Sequence, residues 1–151
     1  MNFFESLVNK TNNLKPSQII EGAFLLKINE VGNLVLEQLN EGIDSEDRII
    51  GVYKNTYERP LEHNNMDGYP KNQGDPYNLL DSGFFRDSMK VLIDGEGIRM
   101  YADGKTGKDE DIIKKYGKEI IGFTFDSVNK AIELIKQDVA NGLRDSLLEI
   151  R

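Results

Sequence analysis

The chain reads as an α+β protein: two long amphipathic helices packed on a small antiparallel β-sheet, with a long irregular segment between. Three observations predict this. Apolar residues recur at three- and four-residue steps in an early and a late stretch. They alternate by two in a hairpin near residues 88–102. Prolines, glycines and asparagines interrupt both periods over residues 43–78.

The first helix is "PSQIIEGAFLLKINEVGNLVLEQLNEG", with Pro16 and Ser17 as start signals and Gly42 as its stop. Ile20, Phe24, Ile28, Val31, Val35 and Leu39 make one apolar stripe, which Ile19, Ala23, Leu26 and Leu34 widen. A face that broad predicts burial on more than one side, within the domain or against a neighbouring subunit. Gly22 and Gly32 lie inside it, each costing about 1 kcal/mol relative to Ala, and read as points of close approach.

Residues 43–78 carry Pro60, Pro70 and Pro76 together with Tyr53, Tyr57, Tyr69 and Tyr77. A structureless stretch of that length is uncommon in a compact domain, and tyrosines supply contact area at low entropic cost. The segment therefore reads as a loop that orders against a partner, with "RIIGVY" offering a short strand.

In "SMKVLIDGEGIRMYA", Met89, Val91 and Ile93 share a face with Ile98, Met100 and Ala102 across the turn "DGEG". Lys90, Arg99 and Tyr101 take the other face, where Leu92 predicts partial cover. A charged loop, "ADGKTGKDED", leads to a short helix with Asp109 as its cap and Gly117 as its stop. The last helix is "FDSVNKAIELIKQDVANGLRDSLLEI", capped by Thr124 or Asp126. Its stripe is Val128, Ile132, Ile135, Val139, Leu143 and Leu147, and Gly142 marks fraying near its end.

At 151 residues, the chain suits one domain, 1–151, with a core of its own. A net charge of −7 supplies no basic footprint, so nucleic acid is not an expected direct ligand. The absence of cysteine excludes disulfides, thiolate metal sites and a cysteine nucleophile. "MNFFESLVNK" lacks the basic start and long apolar run of a signal peptide. No stretch approaches the roughly 20 apolar residues that span a bilayer. No membrane is expected, and the chain is read as made in a cytoplasm.

The stretch "NLLDSGFFRDSMKV" raises the one sharp catalytic question, whether Ser82 is a nucleophile on a tight turn. It does not fit the elbow pattern of a glycine two residues to either side, and the single histidine, His63, falls in the irregular loop. "GKT" at 104–106 lacks the upstream glycine of a phosphate loop, since Arg99 stands there. Lys105 and Gly107 occupy the ligand positions of a calcium loop, so Asp109, Glu110 and Asp111 read as a solvated helix start. No cofactor, metal or catalytic residue is expected. What remains is a small acidic protein whose loop is built to meet something. A soluble assembly factor or adaptor is the alternative, and a carboxylate hydrolase a more distant one.

"LEQLNEGIDSEDRIIGVYKNTY", "GDPYNLLDSGFFRDSMKV" and "KKYGKEIIGFTFDSVNKAIE", in that order, resemble phage and prophage morphogenesis proteins. The similarity is to the head–tail joining or tail-completion group at the neck and upper tail, including versions from phages of gut Bacteroidales. The matching residues are Gln38, Leu39 and Gly42; Leu80, Ser82, Gly83, Phe85 and Ser88; and Lys115, Tyr116, Gly117, Ile120, Gly122, Phe123 and Thr124. The likeness leaves out the first fifteen residues and the last dozen, and residues 60–72 depart from the pattern.

The resemblance implies a virion protein that forms a homo-oligomeric ring between portal-side and tail-side neighbours, with DNA passing nearby but not specifically bound. It implies structural or interface roles for Ser82, Gly83, Phe84, Phe85, Tyr53, Tyr57, Tyr69, Tyr77, Tyr116 and Gly117. Ser82 then reads as a hinge: Asp81 or Ser82 caps a turn, Gly83 takes a backbone shape other residues resist, and the two phenylalanines anchor the hairpin. Residues 54–78 and 103–110 are the expected contact loops. Acidic charge suits a channel through which DNA slides.

Overall fold

A computed structural model describes residues 14–55, 72–80, 83–94, 97–104 and 111–148. Among the described residues two helices come first, α1 (Pro16–Leu26) and α2 (Ile28–Asn40). After the irregular segment come a single turn, α3 (Phe84–Asp87), and a hairpin of β1 (Lys90–Asp94) and β2 (Gly97–Tyr101). A short α4 (Ile112–Tyr116), a 3-10 turn (Lys118–Ile121) and the long α5 (Phe125–Leu148) complete the order. This is the α+β architecture the sequence predicts, with one helix of the expected pair broken in two.

The break falls at Lys27, whose φ of −110° and ψ of 16° leave the helical region. Its N–H bonds to Phe24 O at 3.1 Å, three residues back. No glycine or proline stands there, so local propensity does not cause it. The two halves pack on different neighbours, α1 chiefly on α5 and α2 on both α5 and β1. Pro16 opens α1 at its first position, where a missing N–H costs nothing, but Ser17 makes no cap. α2 ends as expected. Gly42, at φ 72°, donates to Leu39 O at 3.1 Å while Ile43 donates to Gln38 O at 3.2 Å, the paired bonds of a Schellman stop. A Cβ at Gly42 would also strike the Pro76 side chain.

The two glycines inside the first stripe behave differently. A Cβ at Gly32 would lie 3.4 Å from Val91 Cγ2, so α2 does approach β1 closely there. Gly22 has nothing within 4 Å, which removes the close-packing role expected for it.

Residues 43–55 and 72–80 lie side by side. The strand expected at 48–53 is reduced to isolated bridges, Ile43 with Ile49 and Val52 with Pro76. Tyr53 N–H to Asp75 O (2.9 Å), Gly74 N–H to Tyr53 O (2.8 Å) and Tyr77 N–H to Gly51 O (2.8 Å) hold the ribbon. Asp44 stiffens its start, accepting the Glu46 and Arg48 N–H groups at 2.9 and 3.0 Å.

The hairpin pairs Val91 with Met100 and Ile93 with Ile98, the shared face expected from alternation. Its other face is not covered as Leu92 suggested. Leu92 and Tyr101 are exposed, because the described helices lie on the Val91 side. The cap of α4 is Asp111, whose carboxylate accepts Lys114 N–H at 3.0 Å. Asp109 lies outside the described residues. Thr124 caps α5, its Oγ1 accepting Ser127 N–H at 3.1 Å.

The expected stripe on α5 is only partly buried. Ser127, Ala131 and Ile135 face inward, while Val128, Ile132 and Leu147 remain exposed. Gly142 is no fraying point, since α5 runs on to Leu148. A Cβ there would sit 2.7 Å from Ile19 Cγ2, so the glycine lets α1 cross closely. One cluster forms the core: Val35, Leu39, Leu79, Phe85, Ala102, Ile112 and Ile120, with Tyr77, Tyr116, Met100 and Phe123 against it.

Candidate interaction surface

Residues far apart in the chain meet at the lower end of α2. Leu39, Phe85 and Ile120 are almost wholly buried in the one cluster. Beside them Gln38 is a buried polar node. Its Nε2 donates to Gly122 O at 3.1 Å and Ile43 O at 3.4 Å. Its Oε1 accepts Thr124 N–H at 3.0 Å and the Ser127 hydroxyl at 3.3 Å. A glutamine offers two donors and an acceptor with two lone pairs, so every capacity of this side chain is used. It fastens α2 to the start of α5. Only its sequence position, four residues before Gly42, hinted at a structural role.

Phe84 and Phe85 separate sharply. Phe85 is 2% exposed and anchors α3 in the core, whereas Phe84 is 63% exposed. Gly83, buried, takes the left-handed φ of 88° that precedes α3. The Ser88 hydroxyl donates to Phe85 O at 2.7 Å and accepts Asp103 N–H at 3.0 Å, tying α3 to the far end of the hairpin. Arg86 adds a bond that its sequence did not announce: Nη2 donates to Leu36 O, just before the last turn of α2, at 2.8 Å. Burial lowers its affinity for the proton, with Asp87 opposing that shift. A guanidinium keeps its charge regardless, and the negative end of α2 receives it. Ser82 and Asp81 lie outside the described residues.

Tyr53, Tyr77 and Tyr116 form a chain of edge-on contacts, with ring centroids 4.7 and 5.9 Å apart. The Tyr77 ring lies over Gly51, where a Cβ would come within 2.6 Å of it. Tyr116 comes from α4, which Gly117 ends. These three rings join the loop to the core cluster; Tyr57 and Tyr69 lie outside the described residues. Next to them Leu79 holds a φ of 52°, a costly backbone for a leucine. Its burial in the core and the Asn78 side chain, which accepts Leu80 N–H at 3.0 Å, keep it there.

Elsewhere, α1, α5 and the tip of the hairpin bound an open apolar groove of about 480 Å³. Val31 and Ala131 make its floor, and Ile20, Val128 and Ile132 its walls. Leu25, Leu26 and Phe125, with Phe84 elsewhere, add exposed apolar surface.

Two carboxylates are held below their ordinary range. Burial pushes Asp44 up, but hydrogen bonds from Arg48, two backbone N–H groups and the Arg48 charge outweigh it, and its carboxyl lies below the usual range. Glu30 is likewise lowered, by a backbone hydrogen bond first. Among the described residues no cluster of three potential metal ligands occurs. No described helix is long and apolar enough to cross a membrane. Compared with protein-family models, curated proteins and solved structures, the chain shows no match. The fold and its surface define an α+β body that displays apolar contact area.

Proposed function

We propose that this chain is a structural component of a tailed-phage virion, part of the neck or the proximal tail ring, assembled from copies of itself. The observation that carries this reading is where the resembling motifs fall. Three separated stretches carry the likeness, and Leu39, Phe85 and Ile120, one from each, share a core. Gln38 of the first bonds directly to Gly122 and Thr124 of the third. The likeness is one of short sequence motifs, which argues function by analogy.

The surface adds support. Phe84, Leu25, Leu26 and Phe125 project from a body braced by Gln38 and Arg86, as a subunit that meets neighbours requires. Portal-side and tail-side proteins are the partners this role implies. Gradient-purified particles would carry the chain at a fixed ratio to the major capsid protein. A chain found only in the unassembled fraction of infected cells is an assembly factor, and the virion reading falls.

A further inference from the structure

The two faces of the hairpin have unequal surroundings. Ile93 and Ile98, paired across the strands, line the apolar groove together with Ile20 of α1 and Val128 and Ile132 of α5. The groove's floor is covered, with Val31 at 1% and Ala131 at 5% exposure, whereas its helical walls, Ile20, Val128 and Ile132, are 41–48% exposed. Successive residues of a strand point to opposite sides, so Lys90, Leu92, Arg99 and Tyr101 face away from the groove. All four are exposed. One small sheet therefore carries two apolar surfaces, back to back.

Their charges are complementary. In the register of the hairpin Leu92 stands diagonally across from Tyr101, and Lys90 from Arg99, so an apolar pair is flanked by two bases. The groove offers the converse: apolar walls and, as the one charged residue among its described lining, Glu21. Tyrosine and arginine are favoured where proteins meet, and an acid set against a base fixes the register of a contact. The other exposed apolar residues lack this match. Leu25 and Leu26 are followed by a base already paired, Lys27 with Glu30 at 3.4 Å, and Phe84 by Arg86, which is engaged with Leu36 O.

We propose that the outer face of the hairpin seats in the groove of a second copy, with Leu92 and Tyr101 against Ile20, Val128 and Ile132, and the bases towards Glu21. The inference rests on the reading above that copies of this chain meet one another, and adds which surfaces they use. Because patch and groove lie on opposite faces of the sheet, each contact leaves a free groove at one end and a free patch at the other. Such a heterologous contact propagates, closing into a ring where its rotation allows and growing open where it does not. The neighbouring copy supplies the cover that Leu92 lacks within the subunit.

Sedimentation equilibrium on the full chain and two variants tests it. Leu92→Asp/Tyr101→Asp spoils the patch and keeps the groove; Ile132→Asp does the reverse. The native chain should associate as its concentration rises, and each variant alone should stay monomeric. An equimolar mixture of the two should form a 1:1 dimer that grows no further, joined by the one intact patch and the one intact groove. Should either variant fail to fold, Glu21→Lys and Lys90→Glu replace them: each alone should lose association, and the mixture should regain it. A mixture that stays monomeric would overturn the proposal, as would a patch variant that associates like the native chain. A native chain still monomeric at about 1 mM would overturn it too. None of these outcomes decides the virion reading, which rests on the content of purified particles.

Discussion

The two halves of the first apolar stripe have the same period and opposite fates. In α2, Val31, Val35 and Leu39 are buried to 1% exposure or less. In α1, Ile20 is 41% exposed and Leu26 72%. Periodicity reports which side of a helix is apolar, and says nothing about whether a neighbour arrives to cover it. The break at Lys27 makes the difference, because it lets α2 enter the core while α1 leans on α5 near Gly142. The same contrast recurs along α5, where Ala131 and Ile135 are buried and Val128 and Ile132 are not.

The comparison breaks most easily in α2. Leu39→Ala should cost about 2–5 kcal/mol in a urea titration, since a fully buried side chain leaves a cavity between α2, Phe85 and Ile120. A loss near zero would mean the core lies elsewhere. Gln38→Leu should come next, at about 1–3 kcal/mol, by stranding the buried Thr124 N–H and the half-buried Gly122 carbonyl.

The Asp44 turn gives a smaller, pH-dependent effect. Its carboxyl is held below the ordinary value of about 3.9, so its stabilisation is complete above that pH. It is lost as pH falls through the lower value of the folded state. Urea midpoints should therefore drop below about pH 4 in the native chain, and Asp44→Asn should flatten that drop. Equal slopes in both proteins would remove Asp44 from the account. Smallest of all should be Leu26→Ala, within about 0.5 kcal/mol in the isolated chain, because the side chain is largely in water already. A loss like that of Leu39 would show that Leu26 is covered within the isolated chain.

Much of the fold was legible in the residues themselves. Alternation placed the hairpin faces, Gly42 and Gly117 stopped their helices, and Thr124 was one of two caps foreseen for α5. What escaped was decided by distant contacts. Nothing local marks Lys27 as a break, and Gly142 looked like fraying because its neighbour, Ile19, lies more than a hundred positions away in the chain. Asp111 rather than Asp109 caps α4, a shift within a run of acids where each residue could serve.

The candidate surface was half visible. The sequence marks the Phe-Phe pair as an anchor, but which ring turns inward depends on Gly83 and on Arg86 reaching Leu36. Tyr53, Tyr77 and Tyr116 read from the sequence as contact residues. Their edge-on contacts needed the fold to bring 53, 77 and 116 together.

The central claim is a place in a particle, and immunogold labelling of purified virions with an antibody to this chain tests it most directly. The account predicts gold clustered at the head–tail junction. Particles free of label, with the protein abundant in the infected cell, would contradict it.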